Sequence, residues 1–435
     1  MTVPKKVLLI APYFTPRRRV GALRPFKFAI HLSSLGYEPI VLTIGHKPDQ
    51  LTPKERLMLK SIEIISIESP FDRTSGSKKS SKSVSNQKKP YGEKILSWID
   101  RNCPVDTWIF LFLWRWSWIK RAVIVSNPDL IFASGDPWSG LWLGEKLARK
   151  LNVPFIADFR DPWTLGNQRL RDRSSMSAGI DRVIENKVIE RADHLIFTSR
   201  QTDQLYSEKY QIPSGKSTTI YNSFEPGLMK NFQAWNAPEM EQKKFNILFL
   251  GRFRRLSSVS VVLDVLKQIQ SSYPDEADWI RIHSFGEPDN DEMDQIQKME
   301  LSTHFLFHPP FEPEYSLQVM NSADLLLLST SRQRSEIIPA KLWDYLFSEA
   351  PILSIVPNPE VGDIIMNTGA GIHFNPDSRR EIAEWIIQAI MKKQAGETPL
   401  VSNHKDVSSI KKYMSRSAAE KLAELFDDLL KKNRN

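Results

Sequence analysis

Residues 335–355 read SEIIPAKLWDYLFSEAPILSI, and the reading of the whole chain starts from this stretch. Two acids, Glu336 and Asp344, stand eight positions apart. Between them Pro339 is expected to open a helix with Lys341 in its first turn, and Pro351 precedes an apolar strand. Proline suits a first helical position, where its missing N–H costs nothing and its φ is already set. A helix N-terminus offers unpaired N–H groups and partial positive charge, and Lys341 adds a full one, so the site suits a phosphate. Ionised Asp344 accepts hydrogen bonds only and matches a vicinal diol such as a ribose. Glu336, in the loop before the helix, offers the same to a second hydroxyl-rich group. The residues also fit an ordinary solvated helix start.

On either side of this stretch the chain alternates short apolar runs with longer amphipathic ones. In the first half the expected strands are VLLIAPYF (7–14), PIVLTIG (39–45), IEIISI (62–67), DLIFAS (129–134), PFIADF (154–159), HLIFTS (194–199) and TTIYNS (218–223). After a proline-rich break at 225–244 come FNILFLG (245–251), WIRIHSF (279–285), THFLFH (303–308), DLLLLST (324–330), PILSIV (351–356) and GIHFN (371–375). Continuously apolar strands separated by helical stretches predict parallel, doubly wound sheets covered on both faces. The expected division is 1–224 and 225–404, with 405–435 as a terminal amphipathic helix.

Composition sets the outer bounds. A chain of 435 residues accommodates two domains, and Cys103 alone excludes an intrachain disulfide and fits a reducing compartment. The first apolar run is too short for a signal peptide, and no apolar stretch has transmembrane length, so a cytoplasmic location is expected. The net charge of +8 does not indicate nucleic acid, because residues 72–90 (DRTSGSKKSSKSVSNQKKP) carry +5 of it. That Ser/Lys-rich stretch is expected to be a disordered insertion. It could attract anionic lipid or simply be solvated. Trp108 to Ile119 (WIFLFLWRWSWI), with Arg115, Lys120 and Arg121, suits either a membrane interface or a packed core.

An acid, seven residues, a second acid, then a small-residue turn and a Pro-Ile-Leu strand resembles the signature of GT-B glycosyltransferases, in particular family 4. The pattern P-x-K-L-x-[DE]-Y-L is matched from Pro339 to Leu346 and is similar to that of bacterial surface-polysaccharide members. The resemblance implies two Rossmann-like domains facing a cleft, with a terminal helix crossing back to the first. It also implies transfer of a sugar, with retention, from a nucleoside diphosphate donor (UDP- or GDP-linked) to a hydroxyl of a glycan or lipid-linked acceptor in cell-surface polysaccharide synthesis. No cofactor is implied, and the partners are the nucleotide sugar, the acceptor and a possible membrane surface.

The resemblance implies roles residue by residue. Glu336 meets the donor sugar and Asp344, here one methylene shorter than the usual Glu, the ribose. Gly251 and Arg252 follow the first strand of the second half, where the diphosphate is expected, with Gly286 nearby. The family's Lys six residues after that Arg falls on Ser258, and Arg254 or Arg255 could supply the lost charge. On the acceptor side Gly21, Ala22 and Arg24 form the turn into the first helix, and Asp136 ends a strand in SGDPW. Arg17, Arg18 and Arg19 suit an anionic acceptor or a solvated loop. In PFIADFRDPWT, Arg160 and Asp161 stand where many members place a His, and Asp161 could accept the acceptor's proton. Pro104, Asp106 and Trp108 resemble a Pro-x-Asp-x-x-Trp element, with one residue fewer between the Asp and the Trp.

Asp289-Asn290-Asp291 spells a metal-binding D-x-D, but at a helix start such acids are expected to cap the helix. No metal is expected, and the eight histidines have no zinc spacing. Two rival readings are a GT-B sugar-nucleotide epimerase and a non-catalytic GT-B partner subunit.

Overall fold

The computed structural model describes residues 4–16, 20–69, 98, 102–165, 173–229, 240–332, 334–397 and 405–432. Arg17 to Arg19 and the 72–90 insertion lie outside them. The chain forms two compact units, one of Met1–Tyr221 with Ala418–Asn435, the other of Asn222–Ser417.

Each unit is built on one parallel sheet. In the first, β1 (Lys5–Ile10), β2 (Tyr37–Ile44), β3 (Glu63–Ile67), β4 (Leu130–Gly135), β5 (Phe155–Phe159), β6 (His194–Phe197) and β7 (Ser217–Thr219) lie in the order β3-β2-β1-β4-β5-β6-β7. In the second, β8 (Phe245–Phe249), β9 (Ile280–Phe285), β10 (Phe305–His308), β11 (Leu325–Ser329), β12 (Ile352–Ile355) and β13 (Gly371–Phe374) run β10-β9-β8-β11-β12-β13. Strand order therefore reverses between β1 and β4 in one sheet and between β8 and β11 in the other. Ligands of doubly wound sheets bind beyond the strand ends at such reversals. The central strands are apolar throughout and buried from end to end, as LIFASG of β4 and LLLLS of β11 are. Helices on both faces leave them no solvent side.

The helices that matter below are α1 (Val20–Leu32), α2 (Trp108–Ser126), α3 (Ser139–Leu151), α4 (Ser175–Arg191) and α5 (Arg200–Tyr210) in the first unit. The second contributes α6 (Ser260–Ser272), α7 (Asn290–Lys298), α8 (Lys341–Phe347) and α9 (Arg379–Gln394). Last comes α10 (Ser415–Lys432), most of which belongs to the first unit. Its Phe426 is fully buried, with ring centroids 5.4 Å from Tyr37 and 6.3 Å from Phe132. Asp427 beside it accepts hydrogen bonds from Tyr37 Oη at 2.6 Å and Lys5 Nζ at 2.5 Å.

The Pro104-Asp106-Trp108 element is a double fastening. The buried Asp106 carboxylate accepts from Trp108 N at 3.0 Å and from Ser139 N at 2.9 Å, the first residues of α2 and α3. Unpaired N–H groups at two helix starts are thereby satisfied by one side chain.

The tryptophan-rich helix divides differently from expectation. Trp108 and Trp116 pack against the core, Trp116 with its ring 6.5 Å from that of Trp142. Phe110, Leu113, Trp114, Trp118, Ile124 and Val125 are exposed and fall within one arc of the helix. The Trp108 to Ile119 segment therefore has one arc in the core and one arc exposed. No helix among the described residues is long and apolar enough to cross a membrane.

Phe426→Ala should destabilise the first unit by about 3–5 kcal/mol, the range for a buried Phe truncation. Urea unfolding checks this, and unchanged stability would mean α10 is not part of that core.

Candidate functional site

In the second unit the site is assembled at the reversal of strand order. Strands β8 and β11 pair only at Ile247↔Leu325 and Leu248↔Leu326, then part. Into the opening comes the hydroxyl of Tyr345 from α8. It accepts from Leu250 N at 2.9 Å and donates to Leu327 O at 3.3 Å. Burial pushes this phenol far above its usual pKa, so it remains a donor at all ordinary pH.

Helix α8 begins at Lys341, not at Pro339, whose carbonyl accepts from Leu342 N at 3.0 Å. It is seven residues long, so the expected helix dipole is small and the local charge is that of Lys341 itself. Its far end is held by Lys405, which donates to the carbonyls of Tyr345, Ser348 and Ala350. Nothing in the sequence pattern pointed to Lys405, which lies 60 residues from Tyr345.

Lys341 reaches over the end of β8. Its ammonium stands 3.6 Å from the centroid of the Phe249 ring, and its Cε is 3.3 Å from where a Cβ on Gly251 would be. Although the residue is only half-buried overall, burial and the neighbouring Arg254 guanidinium push its pKa down to about 7. No carboxylate or hydrogen-bond acceptor among the described residues pairs with it. Gly251 and Gly286 have φ of +114° and +111°, conformations that disfavour any side chain. Their strand ends interlock: Phe285 N donates to Gly251 O, and Gly286 N to His308 O. A Cβ on Gly286 would lie 3.2 Å from Cβ of Arg252. The half-exposed Arg252 pairs with Asp289 at 3.3 Å. Asp289 stands at the N-cap position of α7 without a side-chain cap, so the expected capping role is replaced by this ion pair.

Gly251, Arg252, Gly286, Lys341 and Arg254 thus cluster at one strand end. Asp344, half-buried in the first turn of α8, and Glu336, half-buried in the preceding loop, flank it in the chain. Arg255 is exposed on the turn closed by Arg254 and Ser257 and joins none of these groups. Ser258 donates to the buried Glu292 carboxylate at 3.1 Å, which also accepts from Val259 N at 2.7 Å.

The first unit is organised by buried ion pairs and backbone contacts. Arg24, on α1, is buried and paired in a fork with Asp158 at 2.8–3.2 Å, while its NH1 reaches Tyr221 O at 2.9 Å. Asp158 is fully buried and accepts from Ser134 as well. A carboxylate inside the apolar run PFIADF is a sign that Asp158 needs a buried partner, but it does not say which. Arg160 donates to the carbonyls of Gly135 and Asp136, and its guanidinium occupies the space a Cβ on Gly21 would need, 2.6 Å away. Gly21, Arg160 and Asp136 are therefore together at the ends of β4 and β5, whereas Ala22 is buried. Asp161 follows, half-buried. The loop beyond it is tethered from below: Trp163 N donates to Tyr206 Oη at 2.7 Å and Thr164 N to Glu185 at 3.0 Å. Among the described residues no group of three or more His, Cys, Asp or Glu could hold a metal ion.

Residues 26–227 match the sequence family described as Glycosyltransferase Family 4, and residues 231–405 match Glycosyl transferases group 1. No curated protein sequence matches the chain. Among solved structures it is similar to sucrose-phosphate synthase from Thermosynechococcus elongatus, at 14% identity and TM-score 0.65, covering 98% of this chain and 99% of that one. It also resembles Anabaena HepE in complex with UDP, at 15% identity, TM-score 0.62, covering 98% and 100%. A glycosyltransferase from Rickettsia africae matches at 15% identity and TM-score 0.61, covering 98% and 99%. At these identities the structural likeness bears on the fold.

Lys341, without a partner among the described residues and with its charge disfavoured by burial, is expected to weaken the fold at neutral pH. Its pKa falls from 10.5 to about 7 on folding, so between those values the unfolded chain binds one more proton and stability rises with pH. Lys341→Met should therefore be more stable than the natural protein at pH 7, with the advantage shrinking toward pH 10. Melting curves across that range test it, and a pH-independent difference would contradict it.

Proposed function

The chain belongs to glycosyltransferase family 4, and from that premise we propose that it transfers a sugar, with retention, from a nucleoside diphosphate donor to a hydroxyl of a glycan or lipid-linked acceptor for cell-surface polysaccharide. The observation that supports the donor half of this reading is Lys341: an ammonium with no counter-ion among the described residues, beside Gly251, at the reversal of strand order. A buried cation of this kind is stabilised when an anion arrives. The departing diphosphate is such an anion, and charge grows on it as the glycosidic bond breaks.

In this reading Lys341 and Arg252 neutralise the diphosphate, and the left-handed Gly251 and Gly286 let it approach the backbone closely. Asp344 accepts from the ribose and Glu336 from the donor sugar. The family's missing Lys at 258 is no obstacle, because position 258 serves Glu292 and Lys341 brings a cation to the same strand end. This argues against a non-catalytic subunit. On the acceptor side, Gly21 and the carbonyls of Gly135 and Asp136 lie against the Arg160 guanidinium, and Asp161 is the next residue in the chain. Asp161 is the group proposed to receive the acceptor's proton or to orient its hydroxyl.

The exposed face of α2 supports a peripheral position on the cytoplasmic side of a membrane. Trp114 and Trp118 are 62% and 40% exposed, and the Arg115 guanidinium lies 4.2 Å over the Trp114 ring. Aromatic rings with adjacent cations suit the headgroup layer. A lipid-linked acceptor would be presented at that surface.

Asp344→Ala should weaken binding of the cognate nucleotide by about 1.5–3 kcal/mol, the range for a hydrogen bond to a charged group. Arg252→Ala should reduce affinity for the diphosphate but not for the nucleoside. Calorimetry with UDP, GDP and their nucleosides measures both. Unchanged affinity in Asp344→Ala, or equal losses in Arg252→Ala, removes the assignment concerned.

For the membrane, the natural protein should sediment with anionic liposomes and be partly released by salt. Deleting residues 75–89 should remove the salt-sensitive part and Trp114→Ala with Trp118→Ala the remainder, since salt screens exposed charges and not apolar contact. Unchanged liposome binding by the folded double variant would end the membrane reading.

A further inference from the structure

The parted ladder between β8 and β11 leaves Leu250 N and Leu327 O beyond the last strand-to-strand pair. Buried backbone groups of this kind need partners. Tyr345, itself fully buried, serves both with one hydroxyl, at 2.9 and 3.3 Å. Lys341 is four residues earlier on the same helix, so the two side chains share a face. A hydroxyl fixed to both strands therefore fixes where the ammonium lies. Lys405 holds the other end of α8 through three carbonyls, and the helix has no freedom to slide along the sheet.

We propose that Tyr345 is the positioning residue of the phosphate pocket: its hydroxyl, wedged between the parted strands, holds Lys341 over Gly251 where a donor diphosphate is bound. This rests on the reading that Lys341 meets that diphosphate. Tyr345 itself touches no substrate. Phenylalanine keeps its packing and removes only the wedge, leaving the Leu250 N–H unserved and α8 free to shift. A shift of an ångström matters for a charged contact whose strength depends on close approach.

The test is a double-mutant cycle read by calorimetry with UDP, run in parallel with GDP, and with the two nucleosides as controls. Tyr345→Phe should weaken the diphosphate about tenfold, the upper end for one hydrogen bond, and leave nucleoside affinity unchanged. Tyr345→Phe combined with Lys341→Met should bind no more weakly than Lys341→Met alone, because the tyrosine acts through the lysine. If Lys341→Met leaves affinity for both diphosphates unchanged, the underlying diphosphate reading fails. If Lys341→Met weakens binding but the Tyr345→Phe loss is absent or simply additive, only the positioning role fails. Should Tyr345→Phe not fold, hydrogen exchange on the unaltered protein decides: the Leu250 amide is expected to be as protected as those within β8, and rapid exchange there overturns the wedge.

Discussion

Strands β8 and β11 separate after two paired residues, and the hydroxyl of Tyr345 closes the gap. In a doubly wound sheet the reversal of strand order is where neighbouring strands diverge and the backbone loses its ladder partners. Something must satisfy those groups, and whatever does so is fixed in position by both strands. Here it is a side chain of a seven-residue helix. The position of that helix sets the position of Lys341, and Lys341 stands where Gly251 takes a left-handed turn. The cost of this arrangement is a lysine whose charge the fold disfavours. Such a cost at a half-buried position fits a group held ready for an anion rather than one that stabilises the fold.

The first sheet treats its own reversal, between β1 and β4, in the opposite way. Cations there are already satisfied: Arg24 by Asp158 and a backbone carbonyl, Arg160 by the carbonyls of Gly135 and Asp136. A buried fork of this kind resists removal of either partner, since the other is left charged and unpaired. The cations at the strand ends of the first unit are therefore paired, while Lys341 in the second has no partner among the described residues.

The strand pattern was legible in the sequence because central strands of doubly wound sheets are apolar on both faces. All thirteen strands among the described residues fall on the runs expected, with ends differing by a few residues. The resemblance carried by residues 335–355 was legible too. What escaped were contacts between residues distant in the chain. Arg24 and Asp158 are 134 positions apart, and periodicity says nothing about such a pair. Lys405 and Glu292 were invisible for the same reason. Tyr345 lay inside the quoted motif, yet its role depends on two backbone atoms in different strands. The division of the tryptophans on α2 was a matter of phase: with apolar residues all round the helix, the sequence alone does not say which arc faces the core.

The central claim is that the end of β8, under Lys341, holds the diphosphate of a nucleotide sugar. A crystal structure of the natural protein grown with UDP, or with GDP if that nucleotide binds better, tests it most directly. Density for the diphosphate is expected within hydrogen-bond distance of the Lys341 ammonium and the Gly251–Arg252 backbone, with the ribose hydroxyls on Asp344. A nucleotide bound elsewhere, with Lys341 still over the Phe249 ring and no phosphate beside it, would contradict the account.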